Sequence, residues 1–147
     1  MFIYFIVFFL VFWLALFFYK ARKVKWNESL LSAGEKVLYE QTKTTLYTIA
    51  GKGKRGMAWL FVKMTPGRIF FLYPDKKRIT TVFNFTAKKE KEGGVDILKD
   101  ITIYLDKKNV KISMDELGRT SVHIQGENVH YEFRIRDEKK VKEILSL

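Results

Sequence analysis

Hydrophobic and polar positions divide the chain into two unlike parts. Residues 2–19 are apolar or aromatic at every position and contain no Gly, Pro or charge, whereas every Lys, Arg, Asp and Glu lies from Lys20 onward. As a helix this segment would extend about 27 Å, close to the roughly 30 Å hydrocarbon core of a bilayer. A helix buried in a soluble core usually carries a polar stripe. The pattern therefore predicts a single transmembrane helix over residues 2–19.

The residues that flank this segment bear on its processing and orientation. A cleaved signal peptide needs a basic start, a shorter apolar stretch and a small-x-small cleavage site, but Ala15 and Ala21 do not have that spacing. We therefore expect an uncleaved anchor. Basic flanks remain in the cytoplasm, so we expect the N-terminus outside and residues 20–147 in the cytoplasm. The juxtamembrane cations are Lys20, Arg22, Lys23 and Lys25.

After a basic linker at residues 20–33, the pattern predicts one domain at 34–147 that begins with successive strands. Strand-like runs cover Lys36–Ile49, Met57–Met64, Arg68–Tyr73 and Arg78–Phe85. Between the second and third runs we expect a type II turn, in which Pro66 fixes φ and Gly67 supplies a positive φ. A charged loop follows at residues 87–94.

Two later hairpins are predicted from register. A four-residue loop at Asp106–Asn109 would place the alternate apolar residues of Ile101–Met114 on one face, with Leu105 opposite Val110. A second hairpin with its turn at Glu127-Asn128 would place Gln125 opposite His130. That register directs one set of side chains inward and the intervening polar ones outward; the inward set is Val122, Ile124, Tyr131, Phe133 and Ile135.

The chain ends in a short amphipathic pattern. Asp137 is a suitable N-cap, and Val141, Ile144 and Leu145 form an i, i+3, i+4 stripe. Such a helix must cover an apolar surface, and the open end of a bent sheet is the natural candidate. The predicted fold class is therefore mainly β, a partly open barrel of about seven antiparallel strands capped by a C-terminal helix.

Three short motifs accompany this order of elements. They are Gly34-Glu35-Lys36-Val37, then Gly56 followed by Met64-Thr65-Pro66-Gly67-Arg68-Ile69-Phe70-Phe71, and finally Leu98-Lys99-Asp100-Ile101. Together they resemble the pleckstrin-homology-like (PH-like) superfold, and more closely its GRAM-type and bacterial PH-like branch, over about Leu31 to Leu147. The resemblance implies a binding module for membrane lipid or protein, without catalysis. The set positions of Lys and Arg that mark phosphoinositide binding have no clear match here.

The segment Gly51–Gly56 spells G-x-G-x-x-G. Dinucleotide binding requires such glycines to open a helix, but the strand-like run Met57–Val62 follows them. We interpret the segment as a flexible basic loop whose Lys52, Lys54 and Arg55 contact a phosphate-rich surface. A loop kept basic for solubility is the alternative.

No set of side chains in the sequence indicates catalysis. The chain has no Cys, which excludes disulfides, thiolate metal sites and a Cys nucleophile. His123 and His130 would share one face of the last hairpin near Glu132, but we interpret them as surface histidines rather than metal ligands. We therefore expect no enzyme, no metal and no cofactor. Core packing explains the clustered aromatics, which are Trp59, Phe61, Phe70, Phe71 and Tyr73.

The formal net charge of +11 raises the question of which kind of partner it indicates. Nucleic-acid binders favour a basic face interleaved with exposed aromatics, whereas the cations here are dispersed, so no nucleic acid is expected. We interpret the charge as that of a domain tethered under an anionic leaflet. The predicted function is a membrane-anchored binding module for anionic lipid or a partner membrane protein. The alternative is a structural subunit of a membrane complex with no lipid specificity.

Overall fold

The computed structural model describes residues 1–21, 24–86, 98 and 101–146, and the side chains of residues 17–21 lie outside this description. Short 3-10 turns cover Glu28–Leu30 and Lys107–Asn109. The helices and strands in the described residues are α1 (Phe2–Ala21), β1 (Tyr39–Ala50), β2 (Gly53–Met64), β3 (Arg68–Leu72), β4 (Ile79–Asn84), β5 (Thr102–Tyr104), β6 (Val110–Met114), β7 (Thr120–Gln125), β8 (His130–Ile135) and α2 (Glu138–Leu145).

All eight strands belong to one sheet, in the order β5-β4-β3-β2-β1-β8-β7-β6. Neighbours are antiparallel except β4 and β5, which pair in parallel with Val82 opposite Thr102. The sheet curls into a half-barrel that stays open, since β5 and β6 end it on either side. The predicted mainly β class with a C-terminal helix is confirmed, although the described residues form eight strands rather than about seven, and one pair is parallel.

Alternation of apolar positions located the long strands. β1 to β4 differ from the four predicted runs by only a few residues at their ends. β7 and β8 pair in the predicted register, with Gln125 opposite His130. The predicted inward residues of this hairpin are buried, except Tyr131, which is partly buried against the same cluster.

The predicted hairpin within Ile101–Met114 does not form. β5 instead extends the sheet beside β4, and the Leu105 amide donates to the Asn84 carbonyl at 3.0 Å. β6 pairs with β7, with Ile112 opposite Val122. The polar segment between β5 and β6 therefore connects the two ends of the sheet. Alternation shows which face a strand presents, but it does not identify the strand's neighbour.

The turn between β2 and β3 also differs from its prediction. Gly67 does not have the positive φ that a type II turn requires. The Thr65 amide donates to the Arg68 carbonyl at 2.9 Å and closes the turn. A Cβ at Gly67 would lie 2.7 Å from the Thr86 methyl carbon. Close packing against Thr86, and not a left-handed backbone, therefore favours glycine at this position.

The larger apolar cluster fills the half-barrel. The ring of Phe71 packs edge-on against Phe83 and Phe133, with centroids 5.7 and 4.9 Å apart, so that β3, β4 and β8 meet across the interior. α2 closes this cluster as predicted. Asp137 accepts a hydrogen bond from the Lys140 amide at 3.1 Å and caps the helix. The helix residues buried in the cluster are Val141, Ile144 and Leu145.

A second apolar cluster lies on the other face of the sheet, and residues 24–31 of the same chain cover it. Trp26 packs edge-on against Phe70, with ring centroids 4.9 Å apart, and the Lys63 ammonium lies 4.6 Å from the Trp26 centroid. Packing contacts therefore reach back into the segment predicted as a linker. The buried members of this cluster are Leu30, Phe61, Phe70, Leu72, Ile79, Val82 and Leu98.

All side chains of α1 that the structure describes are apolar or aromatic. Its side chains from Phe2 to Leu16 are exposed, the first at 81% and the last at 40%. Within the described part of the chain, no helix combines the length and hydropathy that a membrane crossing requires. The predicted anchor extends to residue 19, and the side chains from residue 17 to 21 are outside the description.

Candidate functional site

Lys52, Lys54 and Arg55 lie on the β1–β2 hairpin. The prediction of a flexible loop over residues 51–56 is wrong, because the turn is formed by Gly51 and Lys52 alone and β2 begins directly after it. Gly51 has a φ of +57, which favours glycine. Lys54 and Arg55 belong to the paired part of β2, and as neighbours in a strand they point to opposite faces.

One face of this hairpin is organised around Tyr47. The Lys54 ammonium lies 4.5 Å from the centroid of the Tyr47 ring, which is a cation–π contact. Gly56 is opposite Tyr47, and a Cβ at Gly56 would lie 3.1 Å from a ring carbon. The third glycine of G-x-G-x-x-G therefore makes room for an aromatic ring.

On its β3 side the hairpin extends beyond the neighbouring strand and exposes apolar side chains, whereas on the other side β1 stays paired with β8 as far as Ile49. β3 ends opposite Phe61, whereas β2 begins at Gly53. At 3.3 Å per residue, β2 continues about 25 Å past β3. Every residue from 50 to 59 is exposed, including Met57 at 41% and Trp59 at 65%. The assignment of Trp59 to the core is wrong.

A bulge in β2 explains the exposure of Trp59. Its φ is +62, in the left-handed region that bulky residues rarely occupy. It lies where the register between β1 and β2 shifts. The shift leaves Trp59 exposed, while the next residue, Leu60, is fully buried.

The segment after α1 is attached beside the β3–β4 turn. The Ile79 amide donates to the Val24 carbonyl at 2.9 Å, and Lys25 forms an antiparallel bridge with Arg78. Lys25 is exposed. The other predicted juxtamembrane cations have side chains outside the described part of the structure; they are Lys20, Arg22 and Lys23.

The β3–β4 turn is a basic surface next to this attachment, and Asp75 bridges its backbone. The Asp75 carboxylate accepts hydrogen bonds from the amides of Lys77 and Arg78 at 2.8 and 3.1 Å, and from the Arg78 guanidinium at 2.7 Å. The Lys77 amide, followed by that of Arg78, lowers the pKa of Asp75 to about 2, against a smaller opposing effect of desolvation. Lys76 and Lys77 are exposed.

The hairpin and this turn project from the same end of the sheet. Since β1, β2, β3 and β4 are consecutive antiparallel neighbours, the β1–β2 and β3–β4 connections lie at one end. The attachment of α1 is at this end too. We call this surface the basic end, and its exposed cations are Lys25, Lys52, Lys54, Arg55, Lys76 and Lys77.

A second basic surface is an open cleft of about 370 Å³ bordered by β1, β8 and the β6–β7 turn. Asp115 pairs with Arg119 at 2.7 Å, and Arg136 donates to the Thr42 carbonyl at 3.3 Å. The cleft was not predicted, because its cations are far apart in sequence and meet only through strand pairing. They are Lys43, Arg119, Arg134 and Arg136.

Strand pairing also brings together His123, His130 and Glu132, whose ligand atoms lie within 4.8 Å of one another.

The basic end and the cleft offer ammonium and guanidinium groups, which bind phosphate and carboxylate groups. Comparisons of this chain with family models, curated proteins and solved structures find no match. Inferences about function therefore rest on the geometry of these three surfaces.

Proposed function

We propose that this chain is a single-pass membrane protein whose cytoplasmic PH-like domain binds anionic lipid. Residues 2–19 form the anchor, the N-terminus lies outside, and the basic end contacts the inner leaflet. The apolar side chains described on α1, from Phe2 to Leu16, are exposed. Lipid is the environment that would cover such a helix on all sides. A curled, mostly antiparallel sheet with a C-terminal helix packed on it supports the PH-like part of the proposal.

The short connection between α1 and the sheet carries the proposal. Only residues 22 and 23 separate Ala21 from Val24. Since consecutive Cα atoms are 3.8 Å apart, the Cα of Val24 lies within about 11 Å of the helix end. Val24 is bonded to Ile79 beside the β3–β4 turn. A helix embedded in the bilayer would therefore hold the β3–β4 turn close to the lipid headgroups, at the end of the sheet where the β1–β2 hairpin also lies.

The basic end combines charge with an aromatic group suited to a membrane interface. Each Lys or Arg near an anionic leaflet contributes about 1 kcal/mol, and the effect falls off within a Debye length of roughly 8 Å. Trp is enriched at membrane interfaces, and Trp59 is 65% exposed on the projecting hairpin. Because the helix already anchors the chain, these groups would orient the domain, and tethering would allow even a weak lipid site to be occupied.

A fluorescent label tests the lipid contact. The chain contains no Cys, so an introduced cysteine gives a unique label. Full-length Ala50→Cys, carrying an environment-sensitive dye, is reconstituted in nanodiscs of neutral lipid with and without anionic lipid. We expect a blue shift and protection from an aqueous quencher only with anionic lipid. Glu116→Cys, on the β6–β7 turn at the opposite ends of the strands, is the matched control and should not respond.

Removing the hairpin charges distinguishes binding of the hairpin to anionic lipid from its simple proximity to the bilayer. Changing Lys52, Lys54 and Arg55 together to Gln should abolish the response. The matched triple change on α2, at Lys139, Lys140 and Lys142, should preserve it. An equal response in neutral nanodiscs, or a response that survives the hairpin changes, would refute lipid binding by the hairpin.

Topology is measured independently of lipid binding. A thiol reagent that does not cross membranes should label Phe2→Cys in intact cells or oriented vesicles. The same reagent should label Ala50→Cys only after permeabilisation. Labelling of Ala50→Cys without permeabilisation would place the domain outside and contradict the proposed orientation.

The open edge of the sheet supports one alternative, a structural subunit of a membrane complex with no lipid specificity. β6 ends the sheet, and Met114 at the end of this strand is 61% exposed, near Leu117 at 75%. An exposed edge strand can pair with another chain. If this alternative holds, a photocrosslinker on Ser113→Cys should trap a partner membrane protein in native membranes, and the hairpin label should not respond to anionic lipid.

A further inference from the structure

We propose that His123, His130 and Glu132 form a site for a divalent transition-metal ion such as Zn²⁺ on the outer face of β7 and β8. His123 is opposite Glu132 in the strand pairing, and His130 is opposite Gln125. His123 Nδ1 lies 3.1 Å from His130 Nε2 and 4.0 Å from Glu132 Oε2. Imidazole and carboxylate are common zinc ligands.

The distance between the two ring nitrogens suits a shared metal ion. With Zn–N bonds of about 2.05 Å, a separation of 3.1 Å corresponds to an N–Zn–N angle of about 98°. This angle lies between octahedral and tetrahedral values. In a tetrahedral site the carboxylate oxygen would lie about 3.4 Å from each nitrogen. Glu132, whose side chain is 28% exposed, would have to move closer to both rings, from 4.0 Å at His123 and from within 4.8 Å at His130.

Neighbouring side chains hold the outer nitrogen of each ring. Ser113 Oγ lies 2.7 Å from His123 Nε2, and Gln125 Oε1 lies 3.2 Å from His130 Nδ1. The amide nitrogen of Gln125 donates to two carbonyl groups of the β7–β8 turn, which directs its oxygen toward His130. Metal-binding histidines typically have such a partner, because it fixes the ring orientation and the tautomer.

If both rings are neutral, these contacts favour one pair of tautomers. Gln125 Oε1 can only accept, so His130 carries its proton on Nδ1 and accepts at Nε2. His123 therefore donates from Nδ1 to His130, and its Nε2 accepts from the Ser113 hydroxyl. A metal ion bound between the rings would use the lone pairs of both inner nitrogens. The proton of His123 would then reside on Nε2 and be donated to Ser113 Oγ.

The surrounding charge is mixed. Glu132 brings the negative charge that a cation requires, whereas Lys111 is paired with His123 across β6 and β7. Lys111 is exposed, so its ammonium can extend into solvent, but it still opposes a bound cation. Lys111 therefore provides a matched control on the same face that is not a ligand.

The test is a Zn²⁺ titration of the untagged, chelator-treated full-length protein in nanodiscs of neutral lipid, which separates it from the lipid experiment. We expect one equivalent to bind and the unfolding temperature to rise, because the ion binds the native state. Nitrogen-15 spectra should show the His123 proton moving from Nδ1 to Nε2. His130→Gln should weaken binding at least tenfold and abolish the temperature rise. Lys111→Gln should bind as tightly as the unchanged protein or more tightly.

Several results would overturn the site. Zn²⁺ binding that is unchanged in both His130→Gln and Glu132→Gln would place the ion elsewhere. Binding that is not saturable would indicate only nonspecific association. If His130→Gln does not fold, the unchanged protein is decisive, since a His123 Nδ1 that still carries a proton at saturating Zn²⁺ cannot be a ligand and would refute the proposal.

Discussion

Changing Glu35 to Gln is expected to destabilise the domain strongly, because Glu35 and Arg68 form a buried ion pair. Arg68 donates from Nε to Glu35 Oε2 at 3.0 Å and from Nη2 to Glu35 Oε1. The two side chains are only 9% and 12% exposed. Arg68 also donates to the Leu30 carbonyl at 2.8 Å, and the Thr65 hydroxyl donates to Glu35 at 2.8 Å. The pair therefore joins the N-terminal segment to the β2–β3 turn.

The expected loss follows from leaving a charge without its partner. Removing one member of a buried pair costs about 3–5 kcal/mol. Gln retains the shape and one acceptor, so we expect Glu35→Gln to lower the free energy of unfolding by about 3 kcal/mol. Adding Arg68→Met removes the unpaired charge. The double variant should therefore be more stable than Glu35→Gln alone, a non-additive result that a double-mutant cycle measures.

The same pair should make stability depend on pH. Burial raises the pKa of Glu35, but hydrogen bonds from Arg68, Ser32 and Thr65, together with the Arg68 charge, outweigh burial and hold the pKa below its ordinary value. The stabilisation is complete above the unfolded pKa of about 4.3 and is lost as pH falls through the lower native pKa. In Glu35→Gln the fall in the free energy of unfolding that protonation of Glu35 causes should disappear.

Urea unfolding of the full-length protein in detergent, followed by tryptophan fluorescence, measures these differences. The matched control is Lys142→Gln, which breaks the exposed pair of Lys142 with Glu138, whose side chains are 46% and 33% exposed. That control should cost about 0.5 kcal/mol or less. If Glu35→Gln costs no more than the control, the pair behaves as a surface contact and the reasoning from burial is wrong.

Three further changes test other parts of the structure. Asp137→Ala removes the acceptor for the Lys140 amide and should cost about 1 kcal/mol in urea unfolding; no loss would contradict the cap. The Asp75 carboxyl signal should titrate near pH 2 by NMR, and acidification through that range should lower the protection factor of the Lys77 amide against hydrogen exchange; a midpoint in the ordinary range for Asp would exclude the amide bonds. Trp59→Gly, at a φ of +62, should leave stability unchanged or raise it by up to about 1 kcal/mol, and a clear loss would show that Trp59 packs in the native state.

Much of the fold follows from local pattern, because long strands with one buried face leave a strong signal. The β7–β8 register could be predicted since a slip of one residue would expose Val122 and Phe133. β5 could not be placed in the same way. It spans only Thr102–Tyr104, and its parallel pairing with β4 depends on which sheet edge is free, which alternation does not encode.

The sites could be predicted only in part. Lys52, Lys54 and Arg55 interrupt the apolar pattern and were recognisable as an exposed basic group, although Lys52 lies in a two-residue turn and Lys54 and Arg55 lie in β2. Trp59 was misplaced because a bulge breaks the alternation on which its assignment depended. The register indicated that both histidines share a face, but the close approach of their rings and of Glu132 depends on side-chain conformation. The basic cleft joins residues from three distant segments.

The cover formed by Val24–Leu31 has a practical consequence for anyone preparing the domain without its apolar helix. A shortened protein that starts at residue 34, the predicted start of the domain, would expose the apolar outer face of the sheet around Phe70 and Leu72. Such a surface promotes self-association. Samples intended for crystallisation should therefore start no later than Val24, and poor solubility of shorter versions would be a product of the cut rather than a property of the native molecule.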